Sequence, residues 1–491
     1  MHGTDDSPLE SRSGLDAWKP AELPEPPQPK GLGWLKVVGP GVIVLGVSIG
    51  SGEFLLGPAA FVRSGFSLLW VCGVAIFFQT VFNTELMRYT LATGEPVFTG
   101  FMRTRPSSKL WAAVYSVLYF LQTGWPAHAG TAAGALFFLF FRRLAGPGDS
   151  GSIYMIAVAA FLVCMAILLV GRRIERTLEL LNWVLVVCIL GGLAVLAVLY
   201  VSPSTMASAA AGFAGYDTVS GSFQFIPQGS DLFLLGALVA YSGAGGAINI
   251  VLANWARDRG YGMGERAGYI PAAVGGKKVH LAHTGFMFAD TPDEMRRWRG
   301  WWRIVAADQW GVFGAGALLG MVLPALIYVT FVERGTDIQG LGISAALAQS
   351  MMTREGALMG GAVALLGAWI LFKTQLDILE GMVRAITDML WTGSARVRAW
   401  RGGDVRAVYY TVLGAIVLWG LFALRLAQPI VLLKIGANIA GFILMVSSLH
   451  LLWLNTTLLP AHIRPPMWRR VALVAMSAFY GVFVYLSFSS L

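Results

Sequence analysis

The chain has 491 residues, of which 56% are hydrophobic and 13% charged. A soluble domain carries roughly 25% charged residues, so this composition excludes an ordinary soluble enzyme or binding module and points to a polytopic membrane protein. The formal charge of +9 would suggest nucleic acid in a soluble chain; in a membrane protein it is tested first against the distribution of Lys and Arg between loops.

Residues 1–36, including PAELPEPPQPK, are rich in proline and charge and read as a disordered tail. Stretches long enough to cross roughly 30 Å of hydrocarbon follow. They lie near 37–60, 67–92, 110–141, 152–171, 178–201, 231–256, 304–332, 357–392, 406–425, 429–457 and 468–489, eleven spans in all. Alternate loops are basic: Arg103, Arg105 and Lys109, then Arg172, Arg173 and Arg176, then nine basic residues over 257–303, among them Lys277, Lys278, Arg296 and Arg297. Arg396, Arg398, Arg401, Arg464, Arg469 and Arg470 continue that side, whereas the 202–230 loop has no Lys or Arg. Arg142 and Arg143 dissent and can snorkel from the end of the third span. An integral multi-pass protein with a cytoplasmic N-terminus and an external C-terminus is expected, and topology explains the charge without nucleic acid. Cys72, Cys164 and Cys188 lie in apolar segments without metal spacing and read as packing residues.

Two spans are interrupted by glycine. The first contains Gly50-Ser51-Gly52-Glu53, and the sixth contains YSGAGGAIN over 241–249. They stand five spans apart, and an odd number of spans per half places the halves in opposite orientations. Paired interrupted helices of this kind point to the cargo site of an inverted-repeat transporter. A helix opened at mid-membrane frees backbone groups that hydrocarbon cannot satisfy, so cargo, water or protein must complete them. The expected site is therefore Gly50, Ser51, Gly52 and Glu53 with Ser242, Gly243, Ala244, Gly245, Gly246 and Asn249. Backbone carbonyls near Gly50 and Gly243 would coordinate a cation, with Glu53 as countercharge. The bland alternative is that these glycines only permit close helix packing.

The stretches GPGVIVLGVSIGSGEF (39–54), SGFSLLW (64–70) and MRYTLATGEP (87–96) resemble the opening of the Nramp family of metal-ion transporters. That pattern has a GP-initiated first helix, a DPGN break, a YGYxLLW turn and a TG closing the second helix. The resemblance implies an all-α integral membrane protein with a LeuT-type inverted repeat of five plus five helices and one extra helix. The repeats would occupy 37–201 and 231–457, separated by an external loop at 202–230; the second would include the cytoplasmic loop 257–303, and 458–491 would form the eleventh helix. It also implies proton-linked uptake of divalent metals. The departures fall on functional positions. Gly50-Ser51-Gly52-Glu53 replaces Asp-Pro-Gly-Asn, and Gly246, Ala247 and Ile248, followed by Asn249, stand at the family's Met-Pro-His. In TGWPAHAG (123–130), Gly124 and Ala127 occupy the places of the third span's Asp and Glu, with His128 adjacent. Without the thioether, a carboxylate with carbonyl oxygens favours Mg²⁺, Ca²⁺, Mn²⁺ or a monovalent cation. IGSGEF is also similar to the Gly-Ser-Gly break of amino-acid permeases of the APC superfamily, where backbone N–H groups hold a substrate carboxylate. Glu53 there would repel one unless protonated or paired.

Other ionisable residues lie in the spans. Lys373, Asp377, Glu380 and Arg384 share one face of the eighth. Either they neutralise one another as a ladder, or Lys373 or Asp377 reaches the cavity and pairs with Glu53 or the cargo. His128 is a proton-relay or structural histidine. Gln79, Asn83, Glu85 and Arg88 read as gate or local pairing residues, and Asn438 as an inward polar contact. His280 and His283 lack a third ligand, and EMRRWRGWWR (294–303) reads as an amphipathic stretch on lipid headgroups. No GxxxxGK[ST] loop supports ATP-driven transport, and no HExxH supports an intramembrane enzyme. The expected function is secondary transport of an inorganic cation, divalent first, by alternating access, with proton coupling through Glu53 and no resident cofactor. The alternative is a permease for an amino acid or other small organic solute. Cargo and the lipid bilayer are the expected partners.

Overall fold

The structure is a computed structural model that describes residues 14–170, 174–272, 281–338 and 342–490. Among them, nine helices are long and apolar enough to cross a membrane: Pro40–Ser64, Phe66–Thr93, Pro147–Leu169, Arg176–Tyr200, Pro292–Phe331, Ala357–Gly393, Val405–Ala423, Pro429–Thr457 and Met467–Ser489. The remaining two expected spans are not single helices. The sixth is two half-helices, Leu232–Tyr241 and Ala247–Arg259. The third, expected to run unbroken over 110–141, is Ser108–Thr123 and Ala127–Phe141. Proline lacks the N–H a helix interior needs and disfavours helical backbone in the residue before it, so Trp125-Pro126 ends the first half. Gln375 of the eighth span accepts from the Ala129 N–H at 3.2 Å, satisfying one orphan donor of the second half.

The sixth span breaks because Gly243, Gly245 and Gly246 adopt φ of +102°, +84° and +58°, a region that side chains with a Cβ rarely enter. The first span does not break. Pro40–Ser48 runs through a wider π-type turn, Ile49–Leu56, into Gly57–Ser64. The turn carries i→i+5 bonding, with the Gly57 N–H on the Gly52 carbonyl. The expectation of an opened helix at Gly50–Glu53 is thus corrected. These glycines serve close approach: a Cβ on Gly52 would collide with the Tyr241 backbone, one on Gly50 with Thr374, and one on Gly46 with Lys373 and Asn182.

The first span lies at the centre, against the fifth, sixth, seventh and eighth. Along the fifth, Leu180, Val184, Val187, Val195 and Val198 are exposed; they recur at helical spacing and form an apolar stripe that a bilayer covers. Cys72 and Cys164 are buried, Cys188 is exposed, and all three are free thiols.

Residues 14–36 are not a free tail. Lys19–Pro20 pairs in parallel with Phe286–Met287, and Leu23 is fully buried. The arginine–tryptophan stretch also departs from expectation: Trp298 and Trp301 are buried within Pro292–Ala306, and Arg296 and Arg297 pair with Glu25. The N-terminal segment takes the place assigned to headgroups. His283 meets Asp16 at 2.9 Å, while Lys277, Lys278 and His280 lie outside the described residues.

Candidate functional site

The site grows from the contact between the unbroken first span and the break in the sixth. Gly52 lets the two backbones touch, which brings Glu53 beside the break. Glu53 is fully buried. Its Oε1 accepts from the Ser48 hydroxyl and, at 3.4 Å, from the Gly243 N–H, while Oε2 has no hydrogen-bond partner. Gly320 of the seventh span leaves room along the Glu53 side chain. Ser51, two residues before Glu53, meets His128 Nε2 at 3.0 Å. His128 therefore joins the first span through a hydroxyl.

Protein side chains complete the broken backbone. The Gln79 amide nitrogen reaches the Ala240 and Ser242 carbonyls at 3.1 and 2.8 Å and the Tyr480 hydroxyl at 2.9 Å, and its oxygen accepts from the Gly245 N–H at 3.1 Å. Gln122 donates to the Gly245 carbonyl at 2.9 Å and accepts from the Ala247 N–H at 2.8 Å. In the sequence Gln79 is a gate or local-pairing candidate, and Gln122 is not singled out. The usable signal was a neutral amide in the middle of an otherwise apolar span. Ser242 donates to Leu238, Ala244 and Gly246 are buried in the turn, and Asn249 donates to Asn83 at 2.9 Å. The carbonyl expected near Gly50 lies in the π-type turn, and at Gly243 the amide, not the carbonyl, faces Glu53.

The eighth-span ladder is present, with both Lys373–Asp377 and Glu380–Arg384 in contact. Among the described residues, neither Lys373 nor Asp377 bonds to Glu53. Asp377 accepts from Asn182 of the fifth span at 3.3 Å. Farther along, Arg384 pairs with Asp258, Arg257 joins Asp258 to Asp388, and Trp255 donates to Glu380 at 2.7 Å. Asn438 donates to the Phe233 carbonyl at 3.0 Å and to Lys434 at 2.9 Å, steadying the first half of the sixth span rather than facing Glu53. Asp308, also unforeseen, accepts from the Gly39 and Gly41 N–H groups at 2.8 Å each and caps the first span.

No protein-family model matches the chain, and no curated protein matches it. Solved structures do. A histidine-to-alanine mutant of the Eremococcus coleocola manganese transporter superposes with a TM-score of 0.64 at 14% identity, covering 98% of this chain and 90% of that one. A glutamate-to-alanine mutant gives 0.65 over the same shares at 14% identity. The same transporter in complex with an aromatic bis-isothiourea compound gives 0.61 at 14% identity, over 97% and 91%. The chain shares their fold. It is the LeuT-type arrangement implied by the Nramp resemblance, and the protein is an integral multi-pass membrane protein.

Proposed function

We propose that the chain is a secondary transporter carrying an inorganic cation, divalent first, past Glu53 by alternating access. The observation that carries this reading is a fully buried carboxylate with a free oxygen and no basic partner among the described residues, set against a broken helix. An ionised carboxylate in that position is costly unless a cation joins it. The neighbouring side-chain donors, Ser48 and Ser51, offer oxygen, which suits hard cations such as Mg²⁺, Ca²⁺ or Mn²⁺. Support at the level of fold comes from the manganese transporters. The close approach of Gly52 to Tyr241 favours a small cargo over an amino acid.

In this reading cation entry displaces the glutamine amides from break carbonyls, and cation release leaves Glu53 to take a proton. His128, bonded to Ser51 of the same span as Glu53, would be a second carrier of a proton. The basic loops favour a cytoplasmic N-terminus and an external C-terminus. In proteoliposomes Glu53→Gln should abolish cation flux or free it from pH; undiminished, equally pH-dependent flux would overturn Glu53's role. Calorimetry with Mg²⁺, Mn²⁺, Ca²⁺ and amino acids separates the cargo classes, and binding of amino acids alone would replace the cation.

A further inference from the structure

The N-terminal segment crosses three elements at one end of the bundle. Trp18 donates to Glu95 beyond the second span at 3.1 Å, and Lys19 and Ala21 bond to Gly285 and Met287, each at 3.0 Å. The Leu23 N–H meets Glu294 at 3.0 Å, Trp301 donates to the Pro24 carbonyl at 2.8 Å, and Arg266, after the sixth span, donates to the Glu22 carbonyl at 2.8 Å. Gly300 leaves a seat for Pro26. The segment then passes through the turn Gly31–Lys36 into the first span. There Tyr261 donates to the Val37 carbonyl at 2.7 Å and Arg259 to that of Lys36. A cleft of about 560 Å³ opens between Glu25, Val37, Arg259, Tyr261 and Trp301.

We infer that residues 15–30 are an intramolecular strap that latches this mouth shut and lifts when the bundle opens on that side. A motion separating the first span from the sixth and seventh pulls on the strap, which is bonded after the sixth span and at the start of the seventh and runs through Gly31–Lys36 into the first. Its prolines stiffen it in an extended form, so docking orders little additional chain. Its outer ties are weak: Glu25 and Arg296 are each 53% exposed, and ion pairs of that kind hold reversibly. A buried anchor with weak, exposed ties suits a latch better than a permanent brace. The inference rests on the transporter reading for its purpose, but its test does not depend on cargo.

The test is amide exchange on the full chain in lipid nanodiscs. Glu25→Arg removes both arginine ties and should speed exchange about tenfold over 18–24 and also over 36–41 and 257–264. Adding Arg296→Glu, which re-forms one tie and leaves Arg297 on the Leu23 carbonyl, should slow exchange again in both regions. Leu23→Asp, which puts charge into the buried seat, should release the strap from its other end with the same result. Strap exchange that rises while 36–41 and 257–264 stay unchanged would overturn the latch, as would a strap that neither variant loosens. If no cation is carried by any of these proteins, the transport reading fails and the exchange result still judges the latch.

Discussion

Replacing Gln79 with Leu tests whether side-chain amides, and not only cargo, hold the sixth-span break. Leu keeps most of the side-chain volume but strands three backbone groups: the Ala240 and Ser242 carbonyls and the Gly245 N–H. A buried polar group left without its partner costs about 1–3 kcal/mol. Hydrogen bonds measured within membranes are weaker, about 0.6 and at most roughly 1.7 kcal/mol each. Three groups therefore give about 2–5 kcal/mol. Gln122→Leu strands two, the Gly245 carbonyl and the Ala247 N–H, which gives about 1–3 kcal/mol by the same values. Chemical denaturation in detergent should rank Gln79→Leu as the more destabilised of the two. Amide exchange should rise over 243–247 in both. Equal stability with unchanged exchange, or the reverse ranking, would refute the view that these glutamines carry the break.

Gly52→Ala should abolish transport and destabilise the chain, because its Cβ meets the Tyr241 backbone; Gly191→Ala, with open space around it, should change neither flux nor melting. Lys373→Met should cost about 3–5 kcal/mol by leaving Asp377 buried without its cation, and adding Asp377→Leu should recover much of that loss in a denaturation series. Burial opposes the ionised form of Glu95, but Arg103 beside it and the hydrogen bonds from Tyr89 and Trp18 outweigh burial and hold its carboxyl below the ordinary 4.5. Its stabilising contribution is therefore complete above that value and is lost as pH falls through the lower folded one. Acid titration followed by exchange over 18–24 should show release only below pH 4.5, and Glu95→Gln should remove that step.

Hydropathy made the bundle legible, because each apolar run must pack or face lipid. The two glycine clusters looked alike in sequence and proved different in kind. At 243, 245 and 246 three glycines crowd into four positions, a density that only a left-handed backbone requires. In the first span Gly46 and Gly50 stand four apart on one face, the spacing of close helix packing. That spacing marks packing where the sixth-span density marks a break. Trp125-Pro126 also carried its break openly. The strap and the Asp308 cap were not legible, since most of their partners lie more than 250 residues away and no local pattern encodes such pairings. A proline-rich, charged segment has the composition of disorder until a surface such as Glu294–Trp301 is there to receive it.

The distribution of buried charge leads back to Glu53. Asp377 has Lys373, Glu380 and Asp258 share Arg384, Asp388 has Arg257, and Glu85 has Arg88 and Arg469. Glu179 has Arg176 and Arg259. Asp308 lacks a cation but takes two N–H groups at a helix N-terminus, where the backbone supplies positive potential. Glu53 has one hydroxyl and one long contact to an amide. Among these buried acids of the described spans it alone has neither a basic side chain nor a helix N-terminus beside it. In the proposed transporter a proton and the cation would compete for this one carboxylate, and coupling would arise there. That proposal rests on the partners of these other buried acids as much as on Glu53 itself.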